Sequence, residues 1–192
     1  MTLPTEFLIY VAKLLEQLDI PYHVGGSVAS SAHGMYRASA DIDFVIDPTA
    51  DQLESLAREL EREFYVSRPA MAEAMSLKST FNAIHDRTSF KVDFFFKGTT
   101  PFDTEELRRS IRQAVGGEGG HEVQLKSPED TILRKLEWFR RRGEVSERQW
   151  QDVFSILAAA RGQLDETHLE RWAQELRIAD LLDRARREIA DL

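Results

Sequence analysis

The sequence predicts a mixed α/β sheet domain followed by a bundle of helices. Three observations support this fold class. Helical and strand patterns alternate as far as Tyr65, strand patterns then follow one another, and helical spacing with helix caps continues from Ser127 onward. We therefore expect an α/β core over residues 1–126 and a C-terminal helical subdomain over residues 127–192.

The N-terminal part predicts helix, strand, helix and strand in turn. Apolar residues over 3–18 recur at helical spacing and predict the first helix. Tyr22-His-Val is a short extended run that enters a glycine turn, and Ser27 is a suitable N-cap for a second helix. The segment beginning at Asp41 has the alternation of a strand.

One further helix and several strands complete the predicted sheet. Thr49 and Gln52 have the spacing of a capping box at the start of a helix that we place at about 50–64. Residues 105–115 fit either one helix or a short helix that turns into a strand. The remaining extended segments, with a glycine-rich hairpin tip at 116–120, are 65–66, about 76–84, 90–96 and 123–125.

The C-terminal region predicts four helices. Ser127 is a good cap, and Pro128 occupies the favoured first helical position of a helix that runs to about Arg142. Ser146 begins a second helix, and Asp165 marks the start of a third. Residues 178–192 supply the fourth.

Composition excludes several classes of protein. The 192 residues contain no cysteine, which excludes disulfides, thiolate zinc sites and cysteine nucleophiles. No run approaches the roughly 18 apolar residues of a membrane span, and no leader pattern opens the chain, so we expect a cytoplasmic protein with no membrane contact. The formal net charge of -8 argues against a protein that coats nucleic acid.

Three aspartates predict a metal site. Asp41 and Asp43 are separated by one residue in a strand pattern, so both carboxylates point to one face, and Asp93 is a lone carboxylate inside an apolar strand. Carboxylate ligands without thiolates suit Mg²⁺ or Mn²⁺, which usually bind together with substrate phosphates. Solvated strand residues are the alternative, but adjacent like charges repel unless a cation bridges them.

A glycine turn precedes the acidic strand. Gly25 and Gly26 have no side chains to hold a phosphate away from the main chain, Ser27 adds a hydroxyl, and the following helix presents unsatisfied N–H groups. Such a tripeptide alone is typical of plain turns. Together with the three carboxylates, it indicates a site for the triphosphate of an NTP.

These motifs resemble the DNA polymerase beta-like nucleotidyltransferase superfamily over residues 20–96. The superfamily pattern is a Gly-Gly or Gly-Ser turn, an Asp-hydrophobic-Asp strand and a third strand carboxylate. Arg37-Ala-Ser-Ala, before Asp41, resembles the Arg-x-Thr/Ser segment of small bacterial members. The segments that begin at Ser127 and Arg148 are similar to helices of toxin–antitoxin and abortive-infection nucleotidyltransferases, in which a Lys and a later Asp recur near the nucleotide.

The resemblance implies a role for each residue of the motifs. Two metal ions would bind to Asp41, Asp43 and Asp93, and Asp93 could accept the proton of the acceptor hydroxyl. The nucleotide would contact the remaining motif residues, which are Gly25, Gly26, Ser27, Arg37 and Lys135. For Arg37 and Lys135, an ordinary surface salt bridge is an equally good interpretation.

The function that follows is metal-dependent transfer of a nucleoside monophosphate from an NTP to a hydroxyl of a protein, an RNA or a small molecule, and the resemblance implies a place in a toxin–antitoxin system. The acidic composition favours a protein acceptor, such as a partner toxin, over tRNA. Two alternatives stay open: a nucleotide-binding, antitoxin-like partner protein with little or no transferase activity, and a phosphohydrolase that uses water as the acceptor.

Overall fold

The computed structural model describes residues 3–34, 41–116 and 120–190. These residues form a mixed α/β structure with a seven-stranded sheet, which confirms the predicted fold class. They group into two compact units. Within the described residues, the first unit covers 3–28 and 41–126, and the second covers 29–34 and 127–190.

The sheet of the first unit is built from parallel and antiparallel pairs. Its strand order is β3-β4-β5-β2-β1-β7-β6. Strand β1 is parallel to β7 and β2 is parallel to β5, whereas the other neighbours are antiparallel. The strands are β1 (Tyr22–Val24), β2 (Asp41–Ile46), β3 (Phe64–Val66), β4 (Thr80–His85), β5 (Lys91–Phe96), β6 (Ile111–Val115) and β7 (His121–Leu125).

Strands β2 and β5 are amphipathic in the way that their sequences predict. Every second residue of each strand is buried and the residues between are half-buried. On the buried face, Phe94 stacks on Phe44 at 5.8 Å between ring centroids and on Phe81 at 4.8 Å. Buried residues of the helices α1 (Leu3–Gln17) and α3 (Ala50–Leu60) belong to the same apolar core, so that face of the sheet is covered.

Three boundaries differ from the sequence predictions. The helix placed at 50–64 ends at Leu60, because Phe64 is buried in the sheet as the first residue of β3. The helix α4 (Arg68–Leu77) precedes β4, so the first part of the extended segment predicted at 76–84 is wrong. The helix α2 (Gly26–His33) begins at Gly26, so Ser27 lies in its first turn and is not its N-cap.

Residues 105–115 adopt the second of the two predicted alternatives. The short helix α5 (Pro101–Arg108) is followed by β6, which forms an antiparallel hairpin with β7. The predicted hairpin tip includes residues 117–119, which lie outside the described residues.

The second unit contains the four predicted C-terminal helices, α6 (Pro128–Arg141), α7 (Glu147–Ala159), α8 (Glu166–Glu175) and α9 (Ala179–Ala190). The Ser127 hydroxyl accepts a hydrogen bond from the backbone N–H of Asp130 and thereby caps α6. Ser146 and Asp165 cap α7 and α8 in the same way. In the part of the chain that the structure describes, no helix combines the length and the apolar character needed to cross a bilayer.

Candidate active site

Asp43 and Asp93 are direct neighbours on the parallel strands β2 and β5. The register pairs Asp43 with Asp93 and Asp41 with Lys91. In-register residues of adjacent strands lie about 4.8 Å apart and point to the same face of the sheet. The structure therefore brings the three predicted carboxylates together on the face opposite the phenylalanine core, and Lys91 lies among them.

The glycine turn packs directly against Asp43. The backbone N–H of Gly25 donates to the carbonyl oxygen of Asp43 at 2.9 Å, which continues the pairing of β1 with β2. Gly26 has a φ of 52°, and a β-carbon on it would lie 1.7 Å from Oδ2 of Asp43. Only glycine fits there, because any side chain would both strain the backbone and displace the carboxylate.

Burial and the neighbouring carboxylates raise the pKa of Asp43. Burial raises the pKa of Asp43 to about 6, with smaller contributions from the negative charges of Asp41 and Asp93, while Lys91 and Lys126 oppose the rise. The ammonium of Lys91 lies 2.5 Å from Oδ2 of Asp93, and this hydrogen bond raises the pKa of Lys91. The site therefore concentrates negative charge that a cation would neutralise.

The chemistry of these groups fits a hard divalent cation. Three carboxylates on one face, without thiolates, match the oxygen ligands that Mg²⁺ and Mn²⁺ prefer. The raised pKa of Asp43 means that the nearby lysines do not fully offset burial and the neighbouring negative charges. The side chains are not arranged as a finished coordination shell: over residues 3–34, 41–116 and 120–190, no group of three His, Asp or Glu residues has the geometry of a metal site. Asp93 instead bonds to Lys91.

A lysine that the sequence did not single out lies beside the turn. Lys126 follows β7, and its backbone N–H donates to the carbonyl oxygen of Val24 at 2.9 Å. Its side chain is 8% exposed, and Nζ lies 2.6 Å from Oε1 of Glu106 on α5. Cε and Nζ of Lys126 are 3.6 and 3.7 Å from the position of a β-carbon on Gly25. The only sequence signal is a lysine at a strand end, which becomes informative once β1 and β7 are known to be parallel.

The structure describes one of the two cationic side chains that were predicted to contact the nucleotide. Lys135 is on α6 in the second unit, where its ammonium lies 2.7 Å from Oδ2 of Asp152 and 3.2 Å from Oε1 of Gln149. The side chains of Lys135 and Asp152 are only 10% and 9% exposed, so this pair is buried and is not a surface salt bridge. Arg37 lies outside the described residues.

Solved structures with this fold include nucleotidyltransferase-like proteins. The crystal structure of an antigenic nucleotidyltransferase-like protein from Paracoccidioides brasiliensis is similar with a TM-score of 0.56 and 18% identity, over 95% of this chain and 91% of that one. The crystal structure of ANT(2'')-Ia in complex with adenylyl-2''-tobramycin is similar with a TM-score of 0.58 and 14% identity, over 92% and 98% of the two chains. At these identities the likeness shows a shared fold.

Sequence comparison identifies the family. No curated protein matches the chain. The family model described as "Nucleotidyl transferase AbiEii toxin, Type IV TA system" matches residues 22–191, which include both the acidic strands and the C-terminal helices. The resemblance to the DNA polymerase beta-like superfamily is thereby confirmed. The chain belongs to the AbiEii family of nucleotidyltransferase toxins of type IV toxin–antitoxin systems, and it is a nucleotidyltransferase.

Proposed function

We propose that this protein transfers a nucleoside monophosphate from an NTP to a hydroxyl group of an acceptor and that the transfer depends on Mg²⁺ or Mn²⁺. One observation supports the proposal most strongly: Asp43 lies beside Asp93 in the sheet and also touches the glycine turn at Gly26. The carboxylates and the main chain suited to phosphate therefore share one small volume.

The two metal ions would bind to Asp41, Asp43 and Asp93. When bound there, they would neutralise charge on the phosphates and lower the pKa of a coordinated hydroxyl. The rest of the reaction depends on the residues of the chain, which must hold the phosphates, remove a proton and keep the reacting groups in line.

Asp93 is the proposed proton acceptor. It takes the proton of the acceptor hydroxyl as the hydroxyl oxygen forms a bond to the α-phosphorus, and the bond from that phosphorus to the β-phosphate oxygen breaks to release pyrophosphate. The ammonium of Lys91 is bonded to Asp93. This ion pair must break when the Asp93 carboxylate binds a metal ion or the proton.

The glycine turn and two cationic side chains are the proposed phosphate contacts. Gly25, Gly26 and Ser27 place the main chain at the start of α2, where backbone N–H groups and the positive end of the helix dipole favour phosphate. Arg37 and Lys135 would contact phosphate oxygens, as long cationic side chains commonly do.

The decisive experiment measures transfer from each α-labelled NTP, with Mg²⁺ and a cell lysate as the source of acceptors. We expect wild type to label an acceptor and Asp43→Asn to lose the label. Asp86→Asn, a substitution of an exposed aspartate in the same unit, is the matched control and keeps wild-type labelling. Nucleotide binding without transfer would overturn the proposal in favour of a binding partner protein, and NTP breakdown without a labelled acceptor would favour a phosphohydrolase.

We further propose a protein acceptor, together with an antitoxin partner. The net charge of -8 disfavours an approach to tRNA, whose phosphates favour basic surfaces, and the family description assigns its members to toxin–antitoxin systems. Treatment of the labelled product with protease or ribonuclease separates the cases. We expect the label to be released by protease, and release by ribonuclease alone would exclude a protein acceptor.

A further inference from the structure

Lys126 is a buried cation beside the glycine turn, and the proposed transfer reaction assigns it no role. We propose that Lys126 binds the phosphate chain of the nucleotide and that Glu106 is the positioning residue that holds it. This inference rests on the proposed function, since it adds a contact to the same site. The ligand is the polyphosphate group, which an NTP and the product pyrophosphate share.

The burial of Lys126 and Glu106 is the first argument. Their side chains are 8% and 4% exposed, whereas those of Lys97 and Asp47, another ion pair of the same unit, are 20% and 32% exposed. Removing two charges from water is costly, and well-packed apolar residues are often as stabilising as a buried ion pair. The burial of Lys126 and Glu106 therefore does not by itself indicate that the pair stabilises the fold. A role in binding is the alternative that the position of Lys126 supports.

The position of Lys126 is the second argument. Val24 and Leu125 are paired on the parallel strands β1 and β7, so the residues that follow, Gly25 and Lys126, leave the sheet side by side. The end of the Lys126 side chain lies within 3.7 Å of the place where Gly25 would carry a β-carbon. The ammonium thus lies over the turn that is the proposed phosphate cradle.

The charge of Lys126 is the third argument. Its ammonium lies beside Gly25, and the backbone N–H of Gly25 is bonded to the carbonyl oxygen of Asp43. The cation is therefore close both to the turn and to the strand that carries Asp41 and Asp43. An incoming phosphate chain adds negative charge to this region, and a lysine binds phosphate as a point charge.

The experiment replaces Lys126 and Glu106 with apolar residues and compares this double variant with Lys97→Met. Lys126→Met alone would remove the counter-charge that lies 2.6 Å from the buried Glu106 carboxylate, so the informative variant is Lys126→Met with Glu106→Leu, which replaces both members of the pair with apolar residues. Lys97→Met is the matched control. It removes a lysine of the same unit that also forms an ion pair, and Lys97 directly follows the last residue of β5. The measurements are thermal unfolding, equilibrium binding of pyrophosphate and of each NTP, and kcat and KM for labelled transfer.

We expect the double variant to unfold near the wild-type temperature and to bind both pyrophosphate and the preferred NTP at least tenfold more weakly, with the loss in transfer appearing in KM more than in kcat. Glu106→Gln, which keeps an oxygen acceptor for the ammonium, should raise KM less than the double variant does. Lys97→Met should bind both ligands as wild type does. These outcomes support phosphate binding by Lys126, because a purely structural pair would change stability and leave KM alone.

A folded double variant with wild-type affinity for pyrophosphate and NTP would overturn the inference. This failure is distinct from failure of the proposed function, which wild type reveals by labelling no acceptor. Pyrophosphate binding needs neither the acceptor nor the correct base, so it tests Lys126 in either case.

Discussion

The carboxylate of Asp43 occupies the space that a β-carbon on Gly26 would require. The distance from that position to Oδ2 is 1.7 Å, and the backbone N–H of Gly25 is bonded to the carbonyl oxygen of Asp43. The turn and the acidic strand are therefore fixed to each other by both main-chain and side-chain contacts. A change in the turn must move the carboxylate.

Gly26→Ala should abolish transfer and weaken the fold. The methyl group must displace Asp43, and the φ of 52° disfavours alanine, so we expect a loss of about 1–3 kcal/mol in unfolding free energy and at least a hundredfold loss in kcat/KM. Urea unfolding and labelled transfer measure the two effects.

Gly143→Ala is the control for backbone strain. Gly143 has a φ of 75°, but nothing lies within 4 Å of its β-carbon position. This variant should lose about 1 kcal/mol and keep its activity. Equal activity in the two alanine variants would show that the contact with Asp43 is unimportant.

Asp43→Asn should stabilise the protein at neutral pH in a chelating buffer. Because the pKa of Asp43 is raised from 3.8 to about 6, the folded state favours the protonated carboxyl, and stability falls as pH rises through about 6. Asparagine removes this loss, so the advantage of the variant should be absent below pH 4 and grow to a plateau above pH 6, at most on the order of 3 kcal/mol.

Thermal unfolding across this pH range checks the prediction, with Asp86→Asn as the exposed control. An advantage for Asp43→Asn that is the same at pH 4 and pH 8 would contradict a shifted carboxyl as its source.

Lys91→Met should strengthen cation binding. The Lys91 ammonium is bonded to Asp93 and adds positive charge beside Asp41 and Asp43, so it competes with a divalent ion for the same carboxylates. We expect the affinity for Mn²⁺, measured by titration and electron paramagnetic resonance, to rise several-fold. Unchanged affinity in Lys91→Met, with Lys97→Met as the comparison, would show that Lys91 is no competitor.

Lys135→Met should destabilise the helical unit. It leaves the buried carboxylate of Asp152 without its partner at 2.7 Å, which typically costs about 3–5 kcal/mol. Adding Asp152→Leu should restore the unfolding free energy but not transfer, because Lys135 is a proposed phosphate contact. Restoration of both properties in the double variant would mean that the pair serves the fold alone.

Much of the sheet was predictable because its signals are local. Alternation in β2 and β5 determines which residues are buried, and the same alternation puts Asp41 and Asp43 on one face. The helix α4 was missed because only Met71 and Ala74 are buried, so its apolar stripe is too weak to predict a helix. Phe64 follows Leu60 at helical spacing, which extended the predicted helix into a strand.

The position of Lys126 could not be predicted from local patterns. Its place beside Gly25 depends on the pairing of β1 with β7, which are separated by about a hundred residues of sequence and lie in parallel. The pairing of Lys135 with Asp152 likewise depends on how α6 packs on α7. Long-range pairings of this kind have no signature in a single sequence.

The stack of Phe44, Phe81 and Phe94 limits how this enzyme can change. Side-chain period in a strand is two residues, so inserting or deleting one residue in β2 or β5 would turn the rings outward and bury the aspartates. Such a variant would misfold, so selection would remove it. Related sequences should therefore differ by substitutions around the three aspartates, with the spacing of Asp41 and Asp43 unchanged and with insertions and deletions confined to loops.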